Sequence, residues 1–146
     1  MSDDLELALA SLPHGPEFRF VDRLVALDPG VRGEGEYRVR GDELFLRGHF
    51  PGDPLFPGVL LVEAAAQLAG VVVQSDPRVP PFLGLKLTAL RAVKILGAAR
   101  PGDLVSLEAR VTGRLGNLVQ AETQAAISGT LLMKAEVTLC GAFPAD

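Results

Sequence analysis

The chain has 146 residues, of which 48% are hydrophobic, and it carries a formal net charge of −4. A chain of this length fits one domain with a substantial core, so residues 1–146 are predicted to form a single domain. The acidic balance, without a basic stripe, excludes the usual profile of a nucleic-acid-binding protein. The single cysteine, Cys140, excludes a disulfide within the chain and indicates a reducing compartment.

No segment is expected to enter or cross a membrane. Residues 1–4 are acidic, whereas a secretory signal begins basic and continues apolar. The most apolar stretch, residues 58–73, contains Glu63 and Gln67 and is shorter than the roughly 20 residues of a membrane span. With two histidines and one cysteine, the chain is poorly supplied with metal ligands. The sequence therefore predicts a cytoplasmic protein without a metal site.

The N-terminal part is predicted to contain a short helix and two strands. Leucines recur at helical spacing within residues 3–11, and the prolines and glycine of residues 12–16 end that helix. Residues 18–28 alternate as a strand, and a turn signal at residues 28–30 follows. Residues 31–40 predict a second, exposed strand.

A rigid loop leads into a long helix in the middle of the chain. Residues 47–58 hold three prolines and three glycines, which excludes both a helix and a central strand. Residues 58–74 have a helical pattern that is apolar nearly all round, so this helix should be buried. Its alanines and Gly70 leave room for a sheet to pack closely around it.

The remaining residues have the pattern of antiparallel strands separated by tight turns. The predicted strands are residues 82–90, 91–96, 104–114, 118–127 and 131–140. One long apolar helix followed by a meander of strands predicts an α+β fold, in which the sheet wraps round the helix.

Two side chains stand out as candidates for chemistry. Glu63 lies on an otherwise apolar helix, where an unpartnered charge would be costly, and it is therefore expected to be protonated or functional. Gln67 shares its face one turn along, as either a packing hydrogen-bonder or a site residue. His49 lies fourteen residues before Glu63 in the rigid loop. A neutral imidazole and a protonated carboxylic acid make a general base and a general acid.

The segment GHFPGDPLFPGVLLVEAAAQ, residues 48–67, resembles the signature of the 3-hydroxyacyl-carrier-protein dehydratases of bacterial fatty-acid synthesis. Shorter matches lie at residues 12–14, 20–23, 94–95 and 100–103. The resemblance implies a hot-dog fold, a long central helix wrapped by an antiparallel β-sheet. It also implies a homodimer, often assembled into a trimer of dimers, whose sites take one residue from each subunit. Its partner would be acyl carrier protein with a phosphopantetheine-linked acyl chain.

The resemblance also assigns roles to individual residues. His49 matches the catalytic histidine and Glu63 the catalytic acid. Gly58 matches the glycine whose N–H polarises the thioester carbonyl, and the Leu55 carbonyl matches the group that orients the histidine. Gln67, whose role the residues leave open, is counted with Leu55 and Gly58 as a candidate substrate-binding residue. The implied reaction is removal of water from a (3R)-hydroxyacyl thioester to give a trans-2-enoyl thioester, without a metal or an organic cofactor.

This sequence departs from the family pattern at two places. Asp53 stands where the plain dehydratases often have histidine, as in the dehydratase–isomerase branch, but that branch has aspartate at the position of Glu63. We therefore expect dehydration without isomerisation. Residues 96–98 lack the arginines that often follow Lys94, so a basic patch for the carrier protein would have to come from Arg91, Lys94 and Arg100.

Three other functions fit the same fold. An acyl thioesterase needs a carboxylate that activates water, but it does not need the loop around His49. A hydratase acting on coenzyme A thioesters would use the same two residues. A non-catalytic acyl-binding protein would need neither. His14, between prolines, is expected to be structural, and Phe50, Phe56, Phe82 and Leu85 are the predicted walls of an acyl tunnel.

Overall fold

The computed structural model describes residues 2–145. It contains two α-helices, α1 (Asp3–Leu9) and α2 (Gly58–Gln74), and short 3-10 turns at Pro16–Phe18 and Leu44–Arg47. The six strands are β1 (Arg23–Asp28), β2 (Arg32–Arg38), β3 (Leu83–Ile95), β4 (Leu104–Leu115), β5 (Leu118–Ile127) and β6 (Thr130–Ala142).

All six strands belong to one antiparallel sheet, in the order β1-β2-β4-β5-β6-β3. Every neighbouring pair is antiparallel, and β3 lies at one edge with β6 as its neighbour. The sheet packs around α2, whose contacts reach β2, β3, β4, β5 and β6. The predicted α+β fold, a long helix wrapped by an antiparallel sheet, is confirmed.

Small residues allow the sheet to approach α2 closely. The helix is buried from Leu61 to Val73 except at Glu63 and Gly70, and its alanines are at most 5% exposed. On β2, a Cβ added at Gly33 would lie 2.8 Å from the Val72 side chain. The β2 backbone therefore packs directly on the Val72 side chain of α2, because Gly33 has no side chain of its own.

The structure corrects two of the predicted strands in the N-terminal part. The strand predicted for residues 18–28 begins only at Arg23, because the side chain of Gln67 takes the hydrogen bonds of Phe18 and Phe20 that a neighbouring strand would otherwise make. The strand predicted to be exposed is β2, and it buries alternate residues, ending with Tyr37 at 1% exposure. Glycines at its inward positions hid that alternation in the sequence.

The two strands predicted for residues 82–96 are one strand, β3. The pairing with β6 shifts register between Arg91 and Lys94, and Ala92 has φ +52°. The predicted break is thus a bulge, in which the chain continues along the same neighbour. The predicted bounds of α2 and β5 are identical to those in the structure, and those of β4 and β6 differ by one or two residues at an end.

No helix in residues 2–145 is long and apolar enough to cross a membrane. Nor do the described His, Cys, Asp and Glu side chains gather into any group of three or more placed to hold a metal ion.

The end of α2 is held by a buried carboxylate, that of Asp76. Its side chain is 2% exposed and accepts hydrogen bonds from Arg78 at 2.9 to 3.0 Å and from Arg114 on β4 at 3.1 Å. A Cβ at Gly30, in the β1–β2 turn, would lie 2.5 Å from the carboxylate. Asp76 therefore joins the helix end, the first turn of the sheet and β4.

We predict that Asp76→Asn lowers the free energy of unfolding by about 1–3 kcal/mol, because hydrogen bonds to a charged group are lost. The Arg78 side chain and its backbone N–H lower the pKa of Asp76 from 3.8 to about 2. This stabilisation is complete above about pH 4 and is lost as the pH falls towards 2, since protonation is easier in the unfolded chain. Denaturant unfolding at several pH values measures both effects. Asp42→Asn, at an 84% exposed side chain, is the control and should change neither.

Candidate active site

The loop of residues 48–57 is fixed at its far end by Phe56. The Phe56 N–H donates to the Ala99 carbonyl at 2.8 Å, and its ring lies 5.4 to 5.6 Å from the rings of Phe20, Tyr37 and Phe45. These rings pack largely edge to face, which is favourable for buried aromatics. The aromatic core therefore anchors this loop at Phe56 and restricts its motion.

His49 is oriented within this loop by the backbone carbonyl of Leu55. The distance from His49 Nδ1 to Leu55 O is 2.9 Å, and the Leu55 N–H donates back to the His49 carbonyl at 2.7 Å. A carbonyl oxygen only accepts, so Nδ1 carries the proton of the neutral ring. The lone pair is then on Nε2, which is available to accept a proton from a ligand.

Two backbone N–H groups are free where α2 begins. Leu60 and Leu61 both donate to the Pro57 carbonyl, whereas the N–H groups of Gly58 and Val59 have no acceptor within residues 2–145. Free N–H groups at the positive end of a helix attract negative charge on an oxygen. A Cβ at Gly58 would lie 2.8 Å from Ile95, so a glycine lets the end of β3 cover this helix start.

Glu63 is hydrogen-bonded one turn along the helix to Gln67. The Gln67 Nε2 donates to Glu63 Oε1 at 3.2 Å and to the Phe18 carbonyl at 2.9 Å, while its Oε1 accepts the Phe20 N–H at 2.9 Å. Gln67 is 3% exposed. Gln67 is therefore a packing hydrogen-bonder, as one of the two readings of the sequence had it, and it also contacts the candidate acid; its role as a site residue stays a prediction.

The side chain of Glu63 is 21% exposed, so it is only partly buried although the helix around it is buried. It opens into a cavity of about 560 Å³ between α2 and the start of β3. On α2 the lining follows one face from Glu63 to Gln74, a length of about 16 Å at 1.5 Å per residue. The other walls are mainly apolar and include Leu12, Phe82, Leu83, Leu85, Leu87 and Leu139.

His14 also faces this cavity, which its neighbouring prolines did not reveal. Its Nε2 lies 3.4 Å from Glu63 Oε1. The expectation of a purely structural His14 is therefore incomplete. The spacing of forty-nine residues between the two side chains gives no signal in the sequence, and only the packing of the N-terminal segment on α2 brings them together.

His49 is absent from the lining of this cavity. Within residues 2–145 the contacts of the Glu63 carboxylate are with His14 and Gln67. Within the described residues His49 therefore makes no hydrogen bond or ion pair with Glu63: His49 is paired with Leu55, and Glu63 is paired with Gln67.

Of the predicted tunnel walls, Phe82 and Leu85 line the cavity. The prediction for Phe56 is wrong, because its side chain lies in the aromatic core and does not line the cavity. Phe50 is 52% exposed and stacks on the His49 ring at 4.4 Å between centroids.

The three cations predicted to form a basic patch differ in their surroundings. Arg100 pairs with Asp53, and Arg91 lies 3.6 Å from Glu136. Lys94 forms no ion pair with any described residue. The positive charge at this surface is therefore largely neutralised by carboxylates of the same chain.

The sequence model of the FabA-like domain matches residues 12–136. A protein of Chloroflexus aggregans named 3-hydroxyacyl-[acyl-carrier-protein] dehydratase FabZ is 36% identical over 88% of this chain and 89% of its own length. Among solved structures, the dehydratase heterocomplex ApeI:P from Xenorhabdus doucetiae aligns with a TM-score of 0.74 at 18% identity, over 92% of this chain and 89% of that one.

A hypothetical thioesterase with coenzyme A from Streptococcus pneumoniae aligns with a TM-score of 0.65 at 14% identity, over 85% of this chain and 88% of that one. Both structural likenesses show the hot-dog fold alone. Because one neighbour is called a dehydratase and the other a thioesterase, the fold does not choose between these functions.

We predict that Gln67→Leu destabilises the protein by about 1–3 kcal/mol, because it leaves the buried N–H of Phe20 and the carbonyl of Phe18 without partners. Thermal and denaturant unfolding measure the loss. Gln120→Leu, an exposed position on β5, is the matched control and should have little effect. Equal stability of the two variants would show that the Gln67 hydrogen bonds do not hold residues 18–20 to α2.

Proposed function

The chain belongs to the FabA-like family, and from this membership and the geometry of its site we propose that it dehydrates (3R)-3-hydroxyacyl groups on acyl carrier protein in fatty-acid biosynthesis. The products are the trans-2-enoyl thioester and water. The observation that carries the proposal is the carboxyl of Glu63 at one end of a long, mainly apolar cavity. Such a cavity suits an acyl chain whose reacting carbons lie beside the carboxyl group.

The proposed reaction uses two side chains and one backbone group. Nε2 of His49 accepts the proton from C2, and the electrons of that C–H bond form the C2–C3 double bond. The C3–O bond breaks, and Glu63 gives its proton to the leaving hydroxyl, which departs as water. The free N–H of Gly58 stabilises the negative charge that develops on the thioester oxygen. No step requires a metal or an organic cofactor.

The proposed site is shared by two copies of the chain. The edge strand β3 has exposed or partly exposed side chains along its whole length, including Leu83, Leu90, Val93 and Ile95. A long apolar edge strand is a template for pairing with another chain. A second copy of β3 is the natural partner, because two-fold symmetry pairs identical edges antiparallel.

Antiparallel pairing of two β3 strands places the end of one beside the start of the other. Ile95, at the end of β3, covers Gly58 and therefore lies beside the loop that carries His49. Leu83, Leu85 and Leu87, at the start of β3, line the cavity of Glu63. The pairing thus brings His49 of one copy towards Glu63 of the other, which is how a site divided within one chain becomes complete. A trimer of such dimers is part of the same proposal.

Acyl carrier protein is proposed as the donor of the substrate, with Lys94, which forms no ion pair with any described residue, as a cation for its acidic surface. Coenzyme A thioesters present the same phosphopantetheine arm, so a hydratase acting on them is the second candidate. The thioesterase is disfavoured because its chemistry gives no role to a histidine oriented by Leu55. We further propose that residues 1–146 work as one domain in the cytoplasm.

We predict that Glu63→Gln and His49→Ala each lower the dehydration rate by at least about 100-fold, because each removes a proton-transfer group. The measurement is ultraviolet absorbance of the conjugated enoyl thioester formed from 3-hydroxyacyl-carrier protein, with the coenzyme A thioester in parallel. The control is Asp42→Asn, remote and exposed. Release of free thiol by the wild-type protein, without enoyl formation, would instead identify a thioesterase.

We predict that mixing the His49→Ala and Glu63→Gln proteins, after dissociation and reassembly, restores about one quarter of wild-type activity. Random pairing makes about half of the dimers mixed, and each mixed dimer has one of its two sites intact. A site formed within one chain would give no recovery. Light scattering of each protein checks that dimers form.

A further inference from the structure

The carboxylate of Glu63 has a second neighbour that the proposed reaction does not use. His14 Nε2 lies 3.4 Å from Glu63 Oε1, and the two side chains are 29% and 21% exposed. Both line the same cavity. An imidazole in contact with a general acid at the head of a substrate cavity is placed to influence how that acid holds its proton.

The two oxygens of the Glu63 carboxyl group have different surroundings. Oε1 faces two nitrogen donors, His14 Nε2 and Gln67 Nε2. The direction of the Gln67 amide is fixed, because its oxygen accepts the Phe20 N–H and its nitrogen also donates to the Phe18 carbonyl. Oε2 accepts no hydrogen bond from residues 2–145.

The position of the proton on His14 follows from the other ring nitrogen. Nδ1 is buried and has no hydrogen-bond partner among the described residues. A buried N–H without an acceptor is rarer and more costly than an unused acceptor, so the neutral ring carries its proton on Nε2. The ring nitrogen that carries this proton lies 3.4 Å from Glu63 Oε1, an ion-pair distance longer than an ordinary hydrogen bond.

The backbone around His14 is held in place by contacts of its own. Nη2 of Arg19 donates to the carbonyls of Leu9 and Leu12 at 3.3 and 3.4 Å, which fixes the chain between α1 and the cavity. The ring of His14 stacks on that of Phe18 at 6.3 Å between centroids. His14 is therefore presented to Glu63 by a defined segment.

We propose that His14 is a positioning residue, which together with Gln67 keeps Glu63 Oε1 as a hydrogen-bond acceptor and so places the transferable proton on Oε2. Oε1 already accepts the Gln67 amide and has the His14 nitrogen beside it, so it is poorly placed to carry a proton as well, whereas Oε2 is free to carry one. When Glu63 gives up that proton, the same two donors stabilise the carboxylate that remains. This inference rests on the proposed role of Glu63 as the acid.

The test compares His14→Ala and His14→Gln with the wild-type enzyme on 3-hydroxyacyl-carrier protein. We expect His14→Ala to lower kcat roughly 10- to 100-fold, with KM changed by less than about threefold, because only the alignment of the proton donor is lost. The amide of glutamine reaches as far as imidazole Nε2, so His14→Gln should recover most of the rate. Glu17→Gln, exposed in the same segment, is the matched control.

Equal kcat for His14→Ala and wild type, or a rise in KM alone, would overturn the positioning role. A His14→Gln enzyme that is as slow as His14→Leu would also overturn it, because leucine has similar bulk but no N–H donor. The comparison of His14→Gln with His14→Leu also tests the positioning role if the alanine variant does not fold. An inactive wild-type protein, or an active Glu63→Gln, would overturn the proposed function and this inference together. An inactive Glu63→Gln beside unchanged His14 variants would overturn the inference alone.

Discussion

Close packing of one sheet against one helix is the constraint on which the rest of the structure depends. The α2 helix is buried from Leu61 onward, and its surface of alanines lets the strands approach. On the sheet, Gly33 of β2 also allows close packing, because a Cβ at this position would collide with the Val72 side chain. Interiors at this density tolerate few changes in side-chain size. A polar side chain on the buried face of α2 must therefore find partners within the protein.

Gln67 is the polar residue that connects the stability of the fold with the candidate chemistry. Its amide replaces a neighbouring strand for residues 18–20, and the same nitrogen reaches Glu63. Gln67 therefore holds the Glu63 side chain rigidly, since its amide cannot rotate without leaving the buried N–H of Phe20 unpaired. The fold thus supplies a fixed neighbour to the residue proposed to move a proton.

The proposed sharing of the site between two chains rests on the geometry of β3. This strand is long enough to touch the start of α2 at one end and the cavity of Glu63 at the other. In the proposed dimer, pairing of the two β3 edges covers their exposed apolar side chains. The same pairing brings the His49 loop of each copy to the Glu63 cavity of the other. Under this proposal a separated monomer has no complete site, and catalysis depends on association.

The sequence by itself determined the α+β class and the bounds of α2 and β5, and it predicted the residues of the candidate site, because helical periodicity, turn residues and a long motif are local signals. It could not show that Tyr37 is buried, that Gln67 takes the place of a neighbouring strand at residues 18–20, or that Phe56 belongs to the core and not to a tunnel wall. The contact between His14 and Glu63 was equally hidden. These features join residues far apart in the chain, and only the tertiary structure decided them, because which distant side chains meet depends on how the whole sheet closes around α2.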